Sequence, residues 1–146
     1  MSYVTYHKVA EYMSNTFHGT EDDTINKFTT TVIPPIRMVD YVYRFGHYMN
    51  DQVVVFLSAL VYMHRINANT HIGEREVHRC FAACCVVAVK YWDDFVPTML
   101  HMSKVTGIHL EELKRLEVEV CAYLDFDLHI PQTAFYRFVQ HITAWE

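Results

Sequence analysis

The sequence predicts an all-α domain, and three features of the 146-residue chain support this fold class. Apolar residues recur at spacings of three and four in most segments, which is the period of an amphipathic helix. No stretch alternates apolar and polar residues in the way that a half-buried strand does. The segment Cys80–Val89 is apolar on every face, so we expect it to be a helix surrounded by other helices.

The N-terminal part of the chain combines one helix with a polar segment. A helix is predicted over Tyr3–Met13, and Ser14–Thr31 is predicted to be a long loop with little apolar surface to pack. The Pro34–Pro35 pair ends this loop, because proline interrupts both helices and strands. We therefore divide the chain into residues 1–33, an N-terminal helix and polar loop, and residues 34–146, the main helical unit with its C-terminal helix.

Two helices are expected directly after the prolines, and a third follows a turn. Apolar residues at helical spacing predict the first over Met38–Met49. Asp51 is a preferred N-cap residue and is expected to start the second. A turn over Asn67–Gly73 then precedes a helix whose first turn carries Glu74 and Glu76, where negative charge is favourable.

Three further helices are predicted in the rest of the chain. One opens at Pro97 and ends near Gly107, since proline is tolerated in a first turn and glycine commonly follows a last one. The next covers Leu110–Leu124, and the last begins at Pro131. The prediction is thus helical throughout.

The helix that contains Cys80–Val89 is expected to form the centre of the domain. Its small side chains let neighbouring helices approach closely; they are Ala82, Ala83, Cys84 and Ala88. We predict that Cys80–Val89 is the most buried ten-residue window of the chain, because this helix alone is apolar on all sides.

Charge and hydropathy exclude two classes of partner. The formal net charge is −5 and no more than two Lys or Arg residues stand together, so we expect no nucleic-acid binding. The longest strongly apolar run is the segment Cys80–Val89, which is too short to span a bilayer, so we expect no membrane partner.

The sequence also lacks the motifs of common enzymes. It contains no Gly-rich phosphate loop, no Gly-x-Ser-x-Gly and no His-Glu-x-x-His, so we predict no enzyme, no small-molecule substrate and no cofactor. The ten histidines raise the question of a metal site, for instance at His71, Glu74 and His78. Glu74 and His78 would form an i, i+4 pair on an exposed helix face. Without paired ligand spacing elsewhere, we predict no metal.

The cysteines indicate the compartment. All four lie inside apolar segments and lack metal-type spacing, so we interpret them as buried free thiols. Free thiols are typical of a reducing environment, and the N-terminal sequence has no basic region followed by an apolar block. We expect an intracellular protein of the nucleus, the cytoplasm or both.

Two charged residues stand where apolar ones are expected. Lys90 shares a helix face with Ala83 and Val86, given a rotation of about 100° per residue. Glu117 falls within the apolar stripe of its own helix, where an unpaired carboxylate is costly. Its partner is either internal, Lys90 or Arg115, or a group on another protein. Spacing alone leaves these alternatives open.

Several segments together resemble one known family. The segments VHRCFAACCVVAVKYWDDF and MSKVTGIHLEELKRLEVEVCAYLDFDLHI are similar to the cyclin box of P/U-type cyclins, the phosphate-signalling branch. The upstream PPIRMVDYVYRFGHY resembles the first box helix of the same branch. The resemblance covers Pro34 to about Val139 and implies a five-helix cyclin box around a central third helix, with flanking N- and C-terminal helices.

The resemblance also implies a partner and a set of contact residues. Cyclins are regulatory subunits, and they activate a cyclin-dependent kinase by pushing its PSTAIRE-type helix inward. The family's hallmark lysine and glutamate, which bond to kinase backbone, correspond to Lys90 and Glu117. The apolar neighbours that would pack on the kinase are Tyr91, Cys121, Phe126 and Leu128.

The chain departs from the cell-cycle cyclins at two places, and another use of the fold stays open. Tyr62–Arg65 reads Tyr-Met-His-Arg where many cyclins have Tyr-Ile-Asp-Arg, and Pro35–Met38 occupies the place of the Met-Arg-Ala-Ile-Leu motif. The resemblance therefore does not imply docking of Arg-x-Leu substrates. The alternative function is a kinase-independent helical adaptor in a transcription or signalling assembly.

Overall fold

The computed structural model describes residues 3–19, 25–49 and 53–144, and in these ranges the chain forms seven helices and no strand. In chain order they are α1 (Tyr3–Thr16), α2 (Met38–Tyr48), α3 (Val53–Asn67), α4 (Val77–Trp92), α5 (Met99–Thr106), α6 (Leu110–Tyr123) and α7 (Gln132–Ala144). The predicted all-α class is confirmed.

Helix α4 is the centre of the domain, as predicted. Every residue of Cys80–Val89 is buried, and none is more than 3% exposed. In the described part of the chain no other run of this length is buried throughout. Helices α3, α5 and α6 pack against α4, while α2 contacts α1 and α5. Small side chains on α4 allow this close approach, and the C-terminal end of the helix, at Tyr91 and Trp92, lies at the surface.

The ends of the helices follow from local sequence, with two corrections. Helix α5 begins at Met99, two positions after Pro97, where its start was predicted. Thr98 caps α5 by accepting a hydrogen bond from the His101 N–H at 3.1 Å, and Gly107 closes it with φ 72°. Glu74 and Glu76, however, do not lie in the first turn of α4, which begins at Val77. Glu76 occupies the N-cap position, and its carboxylate accepts a hydrogen bond from the Gly73 N–H at 3.0 Å. The turn is thus longer than predicted, and the predicted cap at Asp51 lies outside the described residues.

The described part of the polar segment after α1, residues 17–19 and 25–31, is anchored more firmly than we predicted. Helix α1 continues to Thr16, and the two aromatic residues of the segment, Phe17 and Phe28, are at most 1% exposed. The Asn26 amide donates a hydrogen bond to the His71 carbonyl at 3.0 Å. The expectation that this segment has little to pack was wrong, because single aromatic residues in a polar segment can each occupy a core site.

A buried histidine fixes the start of α4 against the chain before α2. His78 is 8% exposed, and its Nε2–H donates to the Ile36 carbonyl at 2.8 Å. Its Nδ1 is buried without a hydrogen-bond partner, so a second proton there would have no acceptor. Burial lowers the pKa of His78, and the hydrogen bond to Ile36 opposes this only in part.

We expect the free energy of unfolding to fall as the pH drops below about 6.5, the pKa of histidine in an unfolded chain. Because the folded pKa of His78 is lowered, the unfolded chain takes up this proton first. The loss is about 1.4 kcal/mol per unit of pKa difference. Denaturant unfolding at about pH 7.5 and about pH 5 measures the total loss, to which His64 also contributes because burial lowers its pKa as well. His78→Gln, whose amide can still donate to Ile36, should show a smaller loss; exposed His129→Gln should match the wild type. An unchanged loss in His78→Gln would contradict this assignment.

Candidate functional site

The two out-of-place charges lie together where α4 and α6 meet. The Lys90 ammonium donates a hydrogen bond to Glu117 Oε1 at 2.9 Å and lies 2.5 Å from Oε2. The side chains are 36% and 22% exposed, respectively. Arg115, the other internal candidate, instead lies 3.7 Å from Glu112. The internal partner of Glu117 is therefore Lys90.

This ion pair lies at the surface, so its role in holding the fold is small. Ion pairs at such exposure contribute about 1 kcal/mol or less to stability. A second pair, Arg79 with Glu112, joins the same two helices near the start of each. The packing of α4 on α6 therefore does not depend on Lys90 and Glu117 alone.

The pair forms one rim of an apolar groove of about 280 Å³. All six side chains singled out in the sequence line this groove: Lys90, Tyr91, Glu117, Cys121, Phe126 and Leu128. Two further lining residues, Val87 and Val118, were missed. Their positions could have been found, because Val87 lies one turn before Lys90 and Val118 is an apolar residue next to Glu117.

Several apolar groups of the groove face solvent. Phe126 is 73% exposed, Val118 is 60% exposed and Tyr91 is 45% exposed. Scattered exposed apolar residues are ordinary, but these three surround one concave surface and adjoin a charged pair. Such a surface is typical of a protein interface, in which an apolar centre is bordered by polar groups.

The backbone after α6 places Phe126 at the edge of the groove. The Phe126 N–H donates to the Cys121 carbonyl at 2.8 Å, and the Asp125 N–H donates to the Ala122 carbonyl at 3.1 Å. These bonds end the helix through two consecutive left-handed residues, Asp125 (φ 53°) and Phe126 (φ 59°). A left-handed non-glycine residue costs roughly 1–2 kcal/mol. Two such residues in succession, one of which carries an exposed aromatic ring, are typical of a constrained recognition loop.

Cys121 contributes apolar surface and no reactive thiolate. Burial raises the pKa of its thiol, the Glu117 carboxylate raises it further, and the Lys90 ammonium opposes both. The thiol is therefore protonated at neutral pH. All four cysteines are free. In this groove Cys121 is a small, slightly polar packing residue.

The suggested histidine cluster does not form a metal site. Glu74 precedes α4, and His78 points into the core toward Ile36, so they are not an exposed i, i+4 pair. Among the described residues, no three His, Cys, Asp or Glu side chains are grouped in a way that could hold a metal ion. No helix in the described ranges has both the length and the apolar character needed to cross a membrane.

The groove offers the groups that recognise polypeptide backbone. An ammonium donates to carbonyl oxygens, a carboxylate accepts from amide N–H groups, and the apolar walls accept side chains. In the described ranges the chain forms seven helices, of which α4 is buried at the centre with such a groove at its end; together they define the class, an all-helical recognition domain. The family model described as Cyclin matches residues 5–128, and the chain belongs to the cyclin family.

The chain is similar to P-type, U-type and PHO85 cyclins. It is 30% identical to Cyclin-P1-1 of Oryza sativa subsp. japonica over 113 residues, which cover 75% of this chain and 42% of the rice protein. It is 30% identical over 122 residues to PHO85 cyclin-like protein psl1 of Schizosaccharomyces pombe, covering 81% and 50%. With PHO85 cyclin-7 of Saccharomyces cerevisiae the identity is 32% over 110 residues, covering 66% and 39%. The chain spans half or less of the length of these curated relatives.

Proposed function

We propose that this chain is the regulatory subunit of a cyclin-dependent serine/threonine protein kinase and binds that kinase through the groove between α4 and α6. The observation that carries the proposal is the Lys90–Glu117 pair beside an apolar groove that the described residues leave uncovered. An ion pair that served only to hold α4 against α6 would not need an exposed apolar groove beside it. In this proposal the chain has no catalytic activity of its own.

The mechanism follows from the rigidity of the groove. The groove is built on two packed helices and one hydrogen-bonded loop, so it presents a fixed surface. A kinase whose PSTAIRE-type helix exists in two positions is shifted toward the position that binds this surface better. The inward position completes the Lys–Glu ion pair of the kinase, which its catalysis requires. The cyclin thus acts by selecting one conformation.

The relatives indicate which kinase to test first. Two of them are named as PHO85 cyclins or PHO85 cyclin-like proteins, so we propose a cyclin-dependent kinase of the PHO85 type as partner. Such a partner would place the chain in phosphate-response or cell-cycle control. In that setting we propose that the protein acts in the nucleus, the cytoplasm or both.

The test is reconstitution of the purified chain with a PHO85-type kinase and, in parallel, with a cell-cycle cyclin-dependent kinase. We expect a stoichiometric complex with the first and a rise in phosphorylation of a generic peptide substrate upon complex formation. Kinase alone is the control. Binding without activation, or no binding to either kinase, would contradict the proposal and favour the kinase-independent adaptor.

A further inference from the structure

A buried tyrosine of α3 links the two walls of the groove from behind. Tyr62 is 0% exposed, and its hydroxyl donates a hydrogen bond to the Leu128 carbonyl at 2.7 Å. The same hydroxyl accepts a hydrogen bond from Trp92 Nε1–H at 3.1 Å. Leu128 lines the groove, and Trp92 is the chain neighbour of Tyr91, whose ring it contacts edge-on at 4.9 Å between centroids.

A second residue of the same helix supports the loop over a wider span. The Arg65 guanidinium lies 3.4 Å from the His129 carbonyl through both terminal nitrogens and 3.5 Å from the Asp127 carbonyl. These bonds are long and therefore weaker than the one from Tyr62. Helix α3 thus contacts the backbone of the loop after α6 at three successive carbonyls.

The loop needs such support because of its backbone conformation. Asp125 and Phe126 both have positive φ, an unfavourable conformation for residues other than glycine. Strained backbone persists only where surrounding contacts hold it. The exposed ring of Phe126 is held through its backbone: the hydrogen bonds at the end of α6 support it on one side, and the bonds from α3 to the carbonyls that follow support it on the other.

We propose that Tyr62 is a positioning residue for the groove: its hydroxyl joins the end of α4 to the loop after α6 and so holds Tyr91, Phe126 and Leu128 ready for the partner. The proposal rests on the proposed kinase-binding function and deepens it. A surface held in its bound arrangement loses less conformational entropy on binding. Tyr62 acts without touching the partner.

The hydroxyl is suited to this role at any physiological pH. Burial raises the pKa of Tyr62 to about 12, and the hydrogen bond from Trp92 opposes the shift. The phenol therefore stays neutral and keeps its proton to donate to Leu128. The hydrogen bond from Tyr62 to the Leu128 carbonyl is therefore present across the physiological pH range and does not act as a pH switch.

The first test needs no partner. Tyr62→Phe removes only the hydroxyl, and its matched control is Tyr41→Phe, because Tyr41 donates a similar buried bond to the Thr106 carbonyl at 2.6 Å. In Tyr62→Phe we expect amide hydrogen exchange to rise roughly 5- to 10-fold over 126–130, the effect of losing one hydrogen bond. Tyr41→Phe should leave 126–130 unchanged. Equal exchange of this loop in both variants and the wild type would overturn the proposal.

The second test measures kinase binding in a double-mutant cycle. Tyr62→Phe is expected to weaken binding of the PHO85-type kinase roughly 5-fold. In a Phe126→Ala/Leu128→Ala background the same change should have an effect of less than about 2-fold, because the side chains it positions are absent. An effect of equal size in both backgrounds would mean a general structural role. If the wild type binds and Lys90→Ala weakens binding but Tyr62→Phe does not, the positioning role fails while the proposed function stands.

Discussion

Replacing Lys90 or Glu117 by alanine is expected to weaken kinase binding by about 1–3 kcal/mol each, roughly 5- to 150-fold in affinity. Each side chain would lose a charge-assisted hydrogen bond to backbone of the partner, and a buried partner group would be left unpaired. The kinase activity recovered in the complex should fall in parallel. Isothermal titration with a PHO85-type kinase and a peptide phosphorylation assay measure the two effects.

The stability of the free chain should change much less. The pair is partly exposed, so its loss is worth about 1 kcal/mol or less. Lys90→Ala is the more disruptive of the two, since it leaves the less exposed Glu117 carboxylate without its cation. Glu117→Ala leaves an ammonium that can turn to water. Thermal unfolding of both variants separates this effect from binding.

Arg79→Ala is the matched control for Lys90→Ala. It removes the cation of the other ion pair between α4 and α6, and Arg79 lies 11 positions before Lys90 on the same helix. At a rise of about 1.5 Å per residue the two are about 16 Å apart. We expect Arg79→Ala to leave kinase affinity near the wild-type value. Destabilised Lys90 and Glu117 variants that still bind and activate the kinase normally would show that the pair is structural only.

Gly46→Ala is expected to lower the free energy of unfolding by about 1–3 kcal/mol, although alanine favours helices. On helix propensity alone the change would add about 1 kcal/mol of stability. A Cβ at Gly46 would lie 2.1 Å from Tyr6 Oη and 2.3 Å from Tyr6 Cζ, far inside normal contact. The ring has little room to move away, because Tyr6 is 4% exposed and packs edge-on against Tyr43 and Phe56. Steric overlap therefore outweighs propensity.

The destabilisation caused by Gly46→Ala should depend on the Tyr6 side chain. Tyr6→Leu keeps an apolar side chain on α1 but lacks the ring atoms that the new methyl group meets. In that background Gly46→Ala should be close to neutral or stabilising. Denaturant unfolding of the wild type, the two single variants and the double variant gives the coupling energy directly. The same destabilisation in both backgrounds would show that the close contact of α1 with α2 is not its cause.

The fold class could be predicted from sequence because the patterns that indicate it lie within single helices. The apolar residues of α4 cover every face of one helix, so Cys80–Val89 could only be central, and the structure buries it throughout. Gly107 was predicted to follow the last turn of α5 and does so, whereas the start was predicted at Pro97 and Thr98 caps the helix. The start of α4 was placed too early, because acidic residues are favoured in a first helical turn, whereas the Glu76 carboxylate here accepts the Gly73 N–H in the turn that precedes the helix.

The individual candidate residues were also local observations. Lys90 and Glu117 stood out because each interrupts an apolar pattern on its own helix, and the family resemblance added the four apolar neighbours. Which group pairs with Glu117 could not be read in this way. Arg115 and Lys90 were both possible from spacing, and only the packing of α6 on α4 brings the Lys90 ammonium to the carboxylate.

What the sequence by itself determined is therefore the all-helical class, the central helix and the family. The tertiary structure alone decided that six separated side chains surround one groove, that Phe17 and Phe28 anchor a polar segment, and that Tyr62 holds the loop after α6. The physical reason is the range of each interaction. Helical periodicity relates residues within about four positions of one another. Contacts between helices depend on how the helices are rotated and crossed, and the whole core sets that geometry.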